Sequence, residues 1–226
     1  MNGLEPLLRR PDLWRGGDLA AAARSLPTGF AALDEQLPGG GWPRGALTEI
    51  LATRAGIGAL RLLMPALAAL SREARWLAWV APPYVPYAPA LAAAGVDVSR
   101  ILLVHPDARR DGLWALEQSL RSGTCGAVLA WLMIDEAHVM RRLQLAAEAG
   151  DCAGFLFRPA GVARHASPAA LRLLLDADGR GRLGLRVLKR RGRPATAPLW
   201  LDPDHDPALA LYPAAATAAG GVRARH

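Results

Sequence analysis

Apolar and polar positions divide the chain from Leu26 onward into short apolar runs separated by longer segments with helical spacing. A compact apolar run bounded by Gly, Pro or charge reads as a buried strand, and apolar residues three and four apart read as a helix packed upon it. Strands are expected at the start of 45–63 (GALTEILATRAGIGALRLL), and at 76–81 (WLAWVA), 100–104 (RILLV), 126–134 (GAVLAWLMI) and 152–159 (CAGFLFRP). Between them, 57–72 reads as an apolar helix bent at Pro65, 88–95 as a short helix, 111–122 as an amphipathic helix carrying Leu113, Trp114, Leu116 and Leu120, and 137–149 as a further helix. A helix start at Thr28 carries Phe30, Leu33 and Leu37, and Gly39 to Gly41 stop it. Strands alternating with helices predict the α/β class, with a mostly parallel sheet flanked by helices. After Pro159 the pattern changes: 171–175 (LRLLL) and 183–190 (LGLRVLKR) flank the turn DADGRG and predict a C-terminal antiparallel hairpin, followed by a last strand at 197–201.

The same pattern divides the chain into an N-terminal arm and linker at 1–26, a core at 27–203 and a tail at 204–226 rich in Ala and Gly. Trp14, in the turn PDLWRG, either folds back onto the core or anchors a partner, and Tyr212 is a partner-binding candidate in the tail. Apolar residues make up 52% of the chain, but no uncharged apolar run approaches the roughly 18 residues of a membrane span. The first 26 residues lack the pattern of a secretory signal, so the expected location is the cytoplasm. Cys125 and Cys152 lie in no metal-binding or disulfide spacing and read as buried small apolar side chains.

Net charge is +7, and one stretch carries as many positive charges: Arg180, Arg182, Arg186, Lys189, Arg190, Arg191 and Arg193. Such a concentration suits a phosphate backbone or, alternatively, a solvated face. Asp176, Asp178 and Gly181 suggest a calcium loop, but Arg180 and Val187 stand where oxygen ligands belong, so calcium is rejected.

Between the first strand and helix lies a turn with the length of a phosphate-binding loop. Such a loop needs two glycines, a lysine for the phosphate oxygens and a hydroxyl for Mg²⁺. Here Ala52 and Ile57 occupy the glycine positions, Gly58 the lysine position and Ala59 the hydroxyl position. The string MIDEAH at 133–138 matches a helicase motif, but the chain has no intact phosphate loop, and Asp135 and Glu136 suit capping of the following helix instead. His138 then reads as a solvated or packing residue.

In order along the chain, LPTGFAALDEQLPGGGWPRGALTEIL, APALAAAGVDVSRILLVHPD, ALEQSLRSG and LRVLKRRGRPATAPLWL resemble the RecA fold. PDLWRG, GGGWPRGALTE, YAPALAAAGVD, GAVLAW, RRLQLAAEAG and LKRRGRP resemble the ImuA family of SOS mutagenesis cassettes more closely. The resemblance implies a RecA-like core whose nucleotide site has been lost. The Walker A lysine falls at Gly58, the catalytic glutamate at Pro82 and the Walker B aspartate at Trp131. It also implies a pseudo-ATPase without catalytic residues, cofactor or metal, its former pocket filled by side chains such as Trp131. The implied role is a non-catalytic adaptor in SOS-induced translesion DNA synthesis and DNA repair. Its implied partners are ImuB and possibly RecA, with the error-prone C-family polymerase reached indirectly. The alternative is a single-stranded DNA-binding module using Arg164, His165, Arg180, Arg182, Lys189, Arg190, Arg191 and Arg193. A third alternative, an ATPase with an unorthodox site, would use Arg54 and Arg61 to hold an anion beside the degenerate loop.

Overall fold

The computed structural model describes residues 25–178, 182–190 and 197–201. A small ribbon pairs β1 (Ser25–Leu26) with β2 (Trp42–Pro43) around the short helix α1 (Ala31–Asp34). Then follow β3 (Ala46–Ala52), α2 (Met64–Arg72), β4 (Trp76–Val80), α3 (Ala88–Ala93), β5 (Ile101–Val104), α4 (Arg109–Arg121), β6 (Cys125–Ala130), α5 (Ala137–Ala149) and β7 (Ala153–Pro159). The described chain closes with β8 (Leu171–Ala177), β9 (Leu183–Arg190) and β10 (Leu199–Leu201). The main sheet has the order β10-β9-β8-β3-β7-β6-β4-β5. From β8 to β5 all neighbours are parallel, and β9 and β10 add antiparallel pairs, so the sheet is mixed.

Side chains alternate across the central strands and feed two apolar layers. Ile50, Trp79, Leu129 and Phe155 join the layer that contains Leu63, Leu67 and Leu70 from the α2 region. Leu47, Ala78, Val128 and Leu156 meet Leu116 and Leu120 of α4 and Met140 and Leu143 of α5 on the other face. Cys125 and Cys152 are buried and free, and burial pushes both thiols upward, so neither is a ready nucleophile.

One polar cluster interrupts this apolar interior. Glu49 on β3 is fully buried, and its two carboxylate oxygens accept from different guanidinium groups. Arg158 Nη1 of β7 donates to Oε1 at 2.5 Å, and Arg172 Nε of β8 donates to Oε2 at 2.5 Å. Arg158 also donates to the Ile134 carbonyl and lies 3.6 Å from Asp135 Oδ1. Arg172 reaches the carbonyls of Val162 at 3.0 Å and His165 at 2.8 Å. One carboxylate thereby ties three adjacent strands to the loops that follow β6 and β7.

Several sequence expectations need correction. The helix expected over 57–72 begins only at Met64, after a 3₁₀ turn at Arg61–Leu63, and Pro65 sits in its first turn. Proline lacks an N–H that this position does not need, so it opens the helix and does not bend it. The helix at Thr28 shrinks to residues 31–34, and Thr28 Oγ1 instead accepts from the Phe30 N–H at 3.1 Å. The strand expected to reach residue 134 ends at Ala130. Glu136 occupies the N-cap of α5 but makes no side-chain cap hydrogen bond. Its carboxylate is held by Arg109 Nη2 at 2.7 Å and 3.0 Å, which fastens the start of α4 to the start of α5. His138 is exposed.

Two outcomes follow from these ion pairs. Glu49→Gln leaves two buried guanidinium groups sharing one neutral amide and costs about 3–5 kcal/mol, read from the urea midpoint at unchanged slope. The Arg109 hydrogen bonds hold the Glu136 carboxyl at about 2, below its ordinary 4.5. A depressed carboxylate contributes stability above its unfolded value and loses it as pH falls toward the folded one. Arg109→Ala therefore returns the Glu136 midpoint, followed by carboxyl-carbon NMR, toward 4.5, and the stability difference from the parent chain closes as pH approaches 2.

Candidate functional site

In a parallel sheet, loops leaving the C-terminal strand ends gather at one edge, where ligands bind in open α/β folds. Here the turn after β3, the proline-rich loop after β4 and the ends of β6 and β7 enclose a pocket of about 630 Å³. Ala52, Gly58, Ala59, Pro82 and Trp131, which the sequence singles out, all line it; Ile57 packs half-buried against the neighbouring apolar layer. The pocket is open, contrary to the expectation that side chains fill it. Trp131 forms a wall because it stacks on Phe157, with centroids 4.5 Å apart and planes 4° apart, while Trp79 lies 5.7 Å away on its other side in a tilted arrangement. The indole is thus held by its aromatic neighbours and leaves the space beyond them vacant.

The turn carries its own anchors. Thr53 Oγ1 donates to Asp176 Oδ1 at 2.9 Å, linking the loop after β3 to β8. The Ala177 N–H and the Thr53 hydroxyl together hold the Asp176 carboxyl below its ordinary value. Gly56 and Gly58 have φ of +76° and +95°, conformations that glycine adopts without the Cβ strain of other residues. Among the described residues no cluster of three His, Cys, Asp or Glu side chains suits a metal ion.

Three of the described basic candidates bond within the chain. Arg182 donates to Asp178 Oδ2 at 2.7 Å and covers the Trp200 ring at 5.5 Å. Lys189 Nζ donates to the Ser167 carbonyl at 2.6 Å, and Arg190 donates to the Gln36 carbonyl. Arg164 and His165 are exposed in the turn after β7, where the His165 carbonyl serves Arg172. Arg180, Arg191, Arg193, Trp14 and Tyr212 lie outside the described residues.

Sequence reasoning missed two features. The first is the aromatic wall, signalled by an aromatic residue near the C-terminal end of each of three strand runs: Trp79, Trp131 and Phe157. The second is the edge of the sheet at β5, beyond which no strand pairs among the described residues. The run at 100–104 reads as a buried strand, but β5 is the last strand of its sheet, and Leu102 and Leu103 are 46% and 39% exposed. Trp76, Val98 and Trp114 are also exposed in neighbouring elements. Burial of a strand depends on what pairs beyond it, and its own residues do not carry that information.

Among the described residues no helix is long and apolar enough to cross a membrane. The family model "Cell division inhibitor SulA" matches residues 45–154, from the turn before β3 into β7. A cell division inhibitor SulA from Photorhabdus laumondii is 34% identical over 112 residues, covering 50% of this chain and 63% of the relative. One from Edwardsiella piscicida is 36% identical over 98 residues, covering 43% and 58%. The chain thus spans less than two thirds of the length of either relative. The crystal structure of SulA from Pseudomonas aeruginosa is 30% identical, covering 50% of this chain and 97% of that one, with a TM-score of 0.42.

The SulA matches overturn the ImuA resemblance. Two of the pieces that suggested ImuA, GGGWPRGALTE and GAVLAW, run through the buried strands β3 and β6, whose residues report packing in a sheet and not a role. The expectation of a RecA-like core is corrected with that resemblance: the match is to SulA, and the sheet is mixed, with helices packed on it. The translesion-synthesis adaptor, the single-stranded DNA-binding module, the ATPase alternative and the partners ImuB, C-family polymerase and RecA fall with the resemblance. The DNA reading also loses physical ground, because Arg182, Lys189 and Arg190 are engaged within the chain. The relatives are named as cell division inhibitors. Similarity over residues 45–154 points to SulA, and not to ImuA.

Proposed function

We propose that this chain inhibits cell division without catalysis, by binding a protein of the division apparatus in the cytoplasm. The observation that carries the reading is the SulA match over residues 45–154. FtsZ, the partner implied for that family, is the first candidate. In keeping with this role, Gly58, Ala59, Pro82 and Trp131 offer neither the lysine nor the oxygen ligands that nucleotide hydrolysis requires.

The binding surface proposed is the free edge at β5. It lies inside the matched segment, whereas the β8–β9 hairpin lies outside it. An unpaired strand presents its backbone N–H and C=O groups to an incoming segment, and exposed Leu102 and Leu103 add apolar area on opposite faces. Exposed aromatics such as Trp114 are the residue type that dominates interface energetics.

The test is regulated expression in a rod-shaped bacterium, combined with sedimentation of purified FtsZ polymers in the presence of the chain. Filamentous cells and fewer sedimented polymers are expected, and the double substitution Leu102→Asp with Leu103→Asp weakens both effects by about tenfold or more. Normal cell length at high expression overturns the division-inhibitor reading. Inhibition that survives the double substitution overturns the choice of surface.

A further inference from the structure

We infer that the pocket at the C-terminal edge of β3, β4, β6 and β7 binds a small planar aromatic anion, a ligand that division inhibition does not require. Its volume of about 630 Å³ falls within the usual range of small-molecule sites, roughly 300–1,000 Å³. Trp131, Phe157 and Trp79 give the pocket an aromatic wall, which favours a ring over a flexible aliphatic chain. Prolines 82, 83 and 86 line the opposite loop with restricted backbone, so less freedom is lost when a ligand enters.

Charge sets the second half of the ligand. Arg54, Arg61 and Arg158 line the pocket, and among the described residues no carboxylate does. Arg158 is neutralised by Glu49, while Arg54 is exposed on the loop and its charge reaches Asp176. The site therefore favours an anionic group placed toward the Arg54 loop. A nucleoside triphosphate is a poor fit, because the loop supplies no lysine and the described lining residues no carboxylate to hold Mg²⁺. The ligand class is a compact arene bearing a carboxylate, sulfonate or single phosphate.

The test uses two dyes of almost the same shape and different charge. 8-Anilinonaphthalene-1-sulfonate carries the anion, and N-phenyl-1-naphthylamine lacks it. Titrated into the full-length chain, the sulfonate is expected to bind saturably at one site and about tenfold more tightly than the neutral dye. Arg54→Glu, a change at an exposed loop position, removes that preference; Trp131→Ala weakens both dyes by about tenfold. Trp200→Ala, at an exposed tryptophan outside the pocket, changes neither. Near-ultraviolet circular dichroism of each variant reports whether its core is intact, and Arg54→Glu keeps the test decisive if Trp131→Ala unfolds. Equal affinity for the two dyes, binding without saturation, or sulfonate binding untouched by Arg54→Glu overturns the proposal. Tighter binding of magnesium ATP than of the sulfonate also overturns it.

Discussion

Burying the Glu49 carboxylate constrains the middle of this sheet more than any single apolar contact. A charge removed from water has to be matched at close range, and here it is matched twice, by Arg158 and Arg172 on the two strands flanking β3. A shift of one residue in β3 would turn Glu49 toward the layer of Ile50, Trp79 and Phe155, where no counter-charge waits. The cluster therefore opposes slippage in strands whose remaining residues are too uniformly apolar to define a register. Its contribution is specificity of pairing more than net stability, since buried ion pairs roughly offset their own desolvation.

The same guanidinium groups carry order outward. Arg158 reaches the backbone at Ile134, and Arg172 reaches the turn at residues 162–165, so both irregular loops gain hydrogen-bond donors from the buried cluster. Among the described residues nothing equivalent reaches β5, that strand pairs with β4 alone, and its leucines remain partly exposed on both faces. The sheet is thus held firmly at its centre and left open at one end, which is the arrangement expected of a scaffold that presents an edge to a partner.

The sequence made the apolar strands legible because each is a short run bounded by Gly, Pro or charge, and runs such as WLAWV and LGLRVLKR occur as strands in the structure. Boundaries were less legible. Residues 57–63 have the apolar content of a helix, but the glycines at 56 and 58 adopt left-handed backbone and delay it until Met64. The Glu49 cluster had a signal that went unused: LTEIL, FLFRP and LRLLL each place one charge within an apolar run, and the signs are complementary. Family assignment failed for a different reason. Motifs built from buried strand segments are shared by sheets with different roles, so agreement in their order identified packing and left function undetermined.

The pocket shows where packing alone stops explaining the structure. Trp131 is large enough to occupy part of the space beside it, but stacking on Phe157 fixes its ring as a wall. Aromatic walls beside an arginine-bearing loop are explained more simply by a bound anion-bearing ring than by incomplete packing.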